Sequence, residues 1–112
     1  MHSPNLTKEL NELLLLARLR EGPAHGYEIA LSIEETSRGA FVLQHGTLYP
    51  ILHRLEEEGF IQGRWDDSGG RRRKEYFLTP RGKAHLAGET DRLEALLRDV
   101  LHFLRGPEPE RA

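Results

Sequence analysis

The chain has no cysteine among its 112 residues. Disulfides, thiolate nucleophiles and cysteine-bound zinc are therefore excluded outright. Tryptophan is nearly absent: Trp65 stands alone, and packing on its neighbours is favoured over lining a pocket. No long apolar run occurs. The longest, Leu13 to Ala17, falls far short of the roughly 20 residues needed to cross a bilayer. His2-Ser3-Pro4-Asn5 leads directly into polar helix, so no signal peptide is expected and the protein should stay in the cytoplasm. Enzyme signatures are missing as well. Without a nucleophile motif, a phosphate loop or a cofactor fingerprint, neither an enzyme nor a cofactor is expected. The six histidines show no zinc spacing, and His25 lacks a second ligand at a usual distance along the chain, so no metal is expected either.

What is present is ordinary for one soluble globular domain with one core: 38% hydrophobic and 30% charged residues. The net charge of −2 argues against a polyanionic partner only when taken globally. Locally, Arg71, Arg72, Arg73 and Lys74 are consecutive, while Glu56, Glu57, Glu58, Glu108 and Glu110 carry acid elsewhere.

The stretch from Gln44 to Ile61 organises the rest. Leu48, Ile51, Leu52 and Leu55 recur at helical spacing and point one stripe into a core. Thr47, Pro50, His53, Arg54 and Glu57 fall on the other side. Thr47 is a fair N-cap, which leaves Pro50 in the first turn, where no helical N–H is required. Gly59 suits the left-handed position after the helix, returning Phe60 onto Leu55. Glu56 to Glu58 are expected as a solvated acidic shoulder.

Upstream, residues 5–21 form a first helix. Leu6, Leu10, Leu13, Leu14, Leu16 and Ala17 cover more of its circumference than one core needs, which favours contact with another subunit. A second helix runs from His25-Gly26 to about Thr36, with Tyr27, Ile29, Ala30 and Ile33 inward. Phe41 to Leu43 is a candidate short strand beside the hairpin that follows. Phe60 to Asp66 and Arg71 to Thr79 are the strands of that hairpin, joined by Asp67-Ser68-Gly69-Gly70. Thr79-Pro80 then starts a long helix that runs to Arg105 and stops at Gly106. Leu86, Leu93 and Val100 repeat every seven residues, as do Leu96 and Phe103, with Leu97 and Leu104 beside them, the pattern of a dimer helix.

The run GTLYPILHRLEEEGFI resembles the signature of the PadR family of winged-helix transcriptional regulators. EGPAHGYEI at 21–29 and RRRKEYFLTPRGK at 71–83 fit the same family, and the likeness covers roughly residues 6–85. It implies an α+β, mainly helical fold: a winged helix-turn-helix domain over 1–79 and a C-terminal dimerisation helix over 80–106, before a disordered tail at 107–112. It also implies a homodimeric, sequence-specific regulator of double-stranded DNA, in all expectation a repressor, released by a small-molecule effector held between the subunits. The third helix would enter the major groove. Thr47, Tyr49 and Arg54 would lie near phosphates and Gln44, His45 and His53 nearest base edges, with Gly46 also in the DNA-binding set and Tyr27 at the backbone. Ser or Pro is usual in the family where Gln44 and His45 stand. Tyr49 can equally be a core tyrosine. For Arg71 to Lys74 the two readings are phosphate contacts in the wing and a solvated strand edge. The alternative function is a winged-helix module that binds protein through the same helix.

Overall fold

Helix formation starts at Asn5, whose Oδ1 accepts the Lys8 N–H at 3.1 Å and so satisfies one orphan donor of the first turn. The computed structural model describes residues 5–107, and the elements run α1 (Leu6–Arg20), β1 (Ala24–His25), α2 (Gly26–Thr36), α3 (His45–Glu57), β2 (Ile61–Asp66), β3 (Arg73–Leu78) and α4 (Pro80–Arg105). The expected tail lies outside the described residues except for Pro107, as do the first four residues of the chain. The sheet has the order β1-β3-β2, all antiparallel, with Ala24 opposite Tyr76 and Ile61 opposite Leu78.

One core serves helices and sheet together. Leu15 and Leu16 of α1, Ile29 of α2, Leu52 and Leu55 of α3, and Ile61 of β2 are fully buried. Each contributes about 1.5–3 kcal/mol relative to exposure. The α1 stripe therefore divides differently from expectation. Leu13 is buried in the chain's own core, Leu10 is half-buried, and only Leu6 at the start stays exposed. Leu86 is likewise buried in the core. Neither Leu13 nor Leu86 is available to a second subunit.

Helix α3 begins at His45, three residues earlier than Thr47 as N-cap would allow. The Gln44 carbonyl accepts the Thr47 and Leu48 N–H groups at 2.9 and 2.8 Å, so Gln44 is the N-cap. Pro50 consequently sits inside the helix and costs it one bond. The other end matches expectation: Gly59 has φ +80°, Phe60 N–H reaches Leu55 O at 3.0 Å, and Gly59 N–H reaches Glu56 O at 3.0 Å. This paired ending satisfies two carbonyls that would otherwise be orphaned.

The candidate strand at 41–43 does not form. Ser37 Oγ accepts the Phe41 N–H at 3.0 Å, so the loop closes on itself; Leu43 drops into the core, and Ala24–His25 supplies the third strand. The returning strand starts at Arg73 rather than Arg71. Asp66 explains this, since its Oδ1 accepts the Ser68 N–H at 3.0 Å and the Ser68 hydroxyl at 2.6 Å, a side-chain turn that widens the loop.

A corner joins the sheet to α4. Thr79 Oγ1 donates to Gly59 O at 2.6 Å and accepts the Gly82 N–H at 3.0 Å, so one hydroxyl fixes the ends of α3 and β3 and the start of α4. Leu93 still packs partly on the core. Beyond it, α4 leaves the body of the molecule with Leu96, Leu97, Val100, Leu101, Phe103 and Leu104 exposed, Phe103 at 84%.

Candidate nucleic-acid interface

The buried stripe of α3 fixes what its other face must present. With Leu48, Ile51, Leu52 and Leu55 inward, Gln44, His45, Gly46, Thr47, Tyr49, Pro50 and His53 all face solvent. The helix is about 20 Å long, and its free face is polar and bare at the N-terminal end. His45 and Tyr49, one turn apart, pack ring against ring at 4.4 Å. Tyr49 lies against Gly26, where a β-carbon would come within 2.6 Å of its hydroxyl, so its ring is partly seated while its edge remains open. Tyr49 is thus partly seated against α2 and not a core tyrosine. His53 is exposed and pairs with Glu57 at 3.1 Å.

Tyr27 was expected inward and is instead 59% exposed, because its turn of α2 faces the wing rather than the core. Together with His45, Tyr49, Trp65, Arg72 and Arg73 it lines a cleft of about 490 Å³ between the two helices and the wing. Arg72 stacks over Trp65 at 4.4 Å, and Arg73 sits over Tyr27 at 5.9 Å. Arg71 is exposed in the loop. Cationic and aromatic groups therefore alternate along the wing side of the cleft.

Two expected contacts are otherwise engaged. Arg54 pairs with Glu12 of α1 and, at 3.7 Å, with Glu58, so it braces α3 against α1 and does not face the cleft. Lys74 reaches inward to Glu56 Oε1 at 2.9 Å, while Glu56 Oε2 accepts the Gly63 N–H at 3.2 Å. Glu56 is thus a half-buried clip between α3 and the wing, not part of a solvated shoulder. No periodicity signals such a clip, because it depends on three segments meeting. Leu101 was also missed, although it follows Leu97 by one helical turn and was legible from that spacing.

Behind the cleft, His25 is buried at the junction of β1 and α2. Its Nδ1 lies 2.7 Å from Glu28 Oε1 and its Nε2 lies 3.1 Å from Asp66 Oδ2. The Ser68 hydroxyl and N–H, more than His25, hold the Asp66 carboxyl down to about 2. The His25 backbone N–H, 2.8 Å from the Glu28 carboxylate, is the main cause of a lowered Glu28.

Residues 15–88 match the model of the transcriptional regulator PadR-like family. The transcriptional regulator Rv3488 of Mycobacterium tuberculosis is 38% identical over 89 residues, which cover 80% of each chain. The negative transcriptional regulator PadR of Bacillus subtilis is 36% identical over 73 residues, 64% of this chain and 40% of that one. Among solved structures, a PadR family transcriptional regulator from Eggerthella lenta superposes with a TM-score of 0.81 at 30% identity, over 91% of this chain and 88% of that chain. A transcriptional regulator from Clostridium thermocellum gives 0.80 at 26% identity, over 87% and 95%. A winged helix followed by one long helix, with these relatives, makes the chain a member of the PadR-like family of transcriptional regulators.

Proposed function

We propose that the protein is a sequence-specific regulator of double-stranded DNA, acting as a homodimer that represses from an inverted-repeat operator. The observation that carries this is the bare N-terminal face of α3, with Gln44, His45, Thr47, Tyr49 and His53 all exposed beside a wing bearing Arg71, Arg72 and Arg73. A helix of this width fits a major groove about 12 Å wide, and residues at its start reach base edges. Gln44 suits adenine through a bidentate pair, while the wing arginines suit phosphates of any sequence. DNA binding is assigned to residues 1–79 and subunit pairing to 80–106. The apolar run from Leu96 to Leu104 supports pairing, because a monomer rarely leaves so continuous a patch in water. Two copies meeting through it would form an isologous interface. A groove of about 620 Å³ between α1 and α2, lined in part by Leu14, Ala17, Ile33 and Phe41, offers room for a small effector within one chain, in place of the expected site between subunits.

The test is selection of bound sequences from a random duplex pool, followed by Gln44→Ala and His53→Ala on the selected operator. Gln44→Ala should lose about 1–3 kcal/mol per base contact at a symmetric pair of positions, and His53→Ala less. If both variants bind every single-base operator mutant in wild-type proportion, these residues are not readers. Failure of the wild type to shift random duplex at low salt would favour the protein-binding alternative.

A further inference from the structure

We propose that His25, Asp66 and Glu75 form a binding site for a first-row divalent transition-metal ion, fastening the wing to the start of α2. Their ligand atoms, one imidazole nitrogen and two carboxylate oxygens, all lie within 4.8 Å of one another. Around a tetrahedral zinc such atoms stand about 3.4 Å apart, a gap that carboxylate side-chain rotation closes. Strand pairing builds the site: Glu75 lies opposite His25 on one side of β3 and opposite Arg64 on the other, and Asp66 is two residues beyond Arg64 on the same face.

Two features of this cluster suit a metal ion. The first is the orientation of His25. Its Nδ1 lies 2.7 Å from the Glu28 carboxylate and its Nε2 lies 3.1 Å from Asp66 Oδ2, so Nε2 and the Asp66 oxygen converge on one point beside Glu75. A metal ion at that point takes the place of a shared proton. Glu28 then serves as the carboxylate that orients a metal-bound histidine through its other nitrogen.

The second is the state of Glu75. Its carboxylate is half-buried and has no hydrogen bond or ion pair among the described residues. Arg64, directly opposite in the ladder, places its guanidinium over the Phe77 ring at 5.1 Å instead of on Glu75. Glu28, Asp66 and Glu75 thus surround a single imidazole, and the nearby Arg73 acts on Glu28 from the side of Tyr27. Three carboxylates against one imidazole leave a local excess of negative charge that a divalent ion offsets. One nitrogen and two oxygens suit Zn²⁺ and its first-row neighbours better than Mg²⁺, which prefers oxygen and water.

The experiment is calorimetric titration of Zn²⁺ into the full-length, chelator-stripped protein at neutral pH, without DNA, so that its outcome is independent of the DNA-binding proposal. One ion per chain is expected, weakened at least 10-fold in Glu75→Gln and in Asp66→Asn. The exposed-histidine variant His53→Gln should bind as wild type does, and Mg²⁺ should give no comparable heat. Glu75→Gln keeps the side chain's shape and breaks no contact described above, so it reports on the site without unfolding it. Equal Zn²⁺ affinity in wild type and Glu75→Gln, or a loss confined to His53→Gln, would overturn the assignment.

Discussion

Gly82 and Gly88 lie on the same helix, and an alanine at each should move stability in opposite directions. At Gly82 a β-carbon would stand 2.0 Å from the Phe60 carbonyl oxygen and 2.8 Å from Leu78 Cδ1. The oxygen belongs to backbone and cannot swing away, so the start of α4 must retreat by on the order of 1 Å. That retreat strains the Thr79 corner, where the hydroxyl holds the Gly82 N–H at 3.0 Å and Gly59 O at 2.6 Å. Loss of the cap costs about 1 kcal/mol and overpacking a further 1–3 kcal/mol, so Gly82→Ala should destabilise by roughly 2–4 kcal/mol. At Gly88 nothing lies within 4 Å of the added carbon, and the residue is exposed in mid-helix. There the gain in helix propensity predicts a stabilisation of up to about 1 kcal/mol. The assay is urea unfolding followed by circular dichroism at one fixed protein concentration, since stability of a dimer depends on it. A Gly82→Ala midpoint equal to wild type, or a Gly88→Ala midpoint shifted as far downward, would refute the reasoning.

The wing should supply affinity without specificity. Lys74 is engaged by Glu56, so replacing Arg71, Arg72 and Arg73 with alanine should flatten the dependence of log affinity on log salt by several units in a dimer. Lys74→Ala should flatten it by less than one unit; salt titrations on operator and random duplex check both. Leu97→Glu with Val100→Glu and Phe103→Glu should halve the mass seen by light scattering while leaving the circular dichroism of the body intact, because all three are exposed within one chain. A variant that keeps the wild-type mass excludes this face. Acid should weaken the wing. Asp66 has a folded value below its unfolded one, so its contribution is present above about pH 4 and is lost as pH falls towards 2, and Glu28 is lowered in the same direction. Urea midpoints of chelator-treated wild type and Asp66→Asn should therefore converge across that range, and parallel curves would show that Asp66 adds nothing.

Periodic features were legible from the chain and non-local ones were not. The inward stripe of α3, the turn at Gly59, the Thr79 cap and the extent of α4 each depend on residues within a few positions of one another, and each stands as expected. Leu13 and Leu86 were misassigned because an apolar stripe shows that a face is covered but not by what; here it is covered by the same chain. Arg54 and Lys74 have the composition of phosphate ligands, yet Glu12 and Glu56 reach them first across tertiary contacts that no spacing encodes. The cluster at His25 shows the same limit: Asp66 is 41 residues away, and only antiparallel pairing brings it within reach.

The clip at Glu56 sets how the wing can move. It grips Gly63 on β2 and Lys74 on β3, so the base of the hairpin travels with α3 as one stiff jaw. From Gly63 to Asp66 the arm is only about 10 Å long at the rise of a β-strand, and its far end is tied back to His25 through Asp66. Bending is thus confined to the loop from Asp67 to Arg72, where the exposed arginines ride. A caliper built this way has a nearly fixed opening between the helix and the arm. If the protein binds DNA as proposed, a duplex whose backbone lies at the wrong separation would not be met by swinging the wing outward and would itself deform at an energy that depends on its sequence. Base pairs that no side chain touches would then still be discriminated, by stiffness and groove width alone.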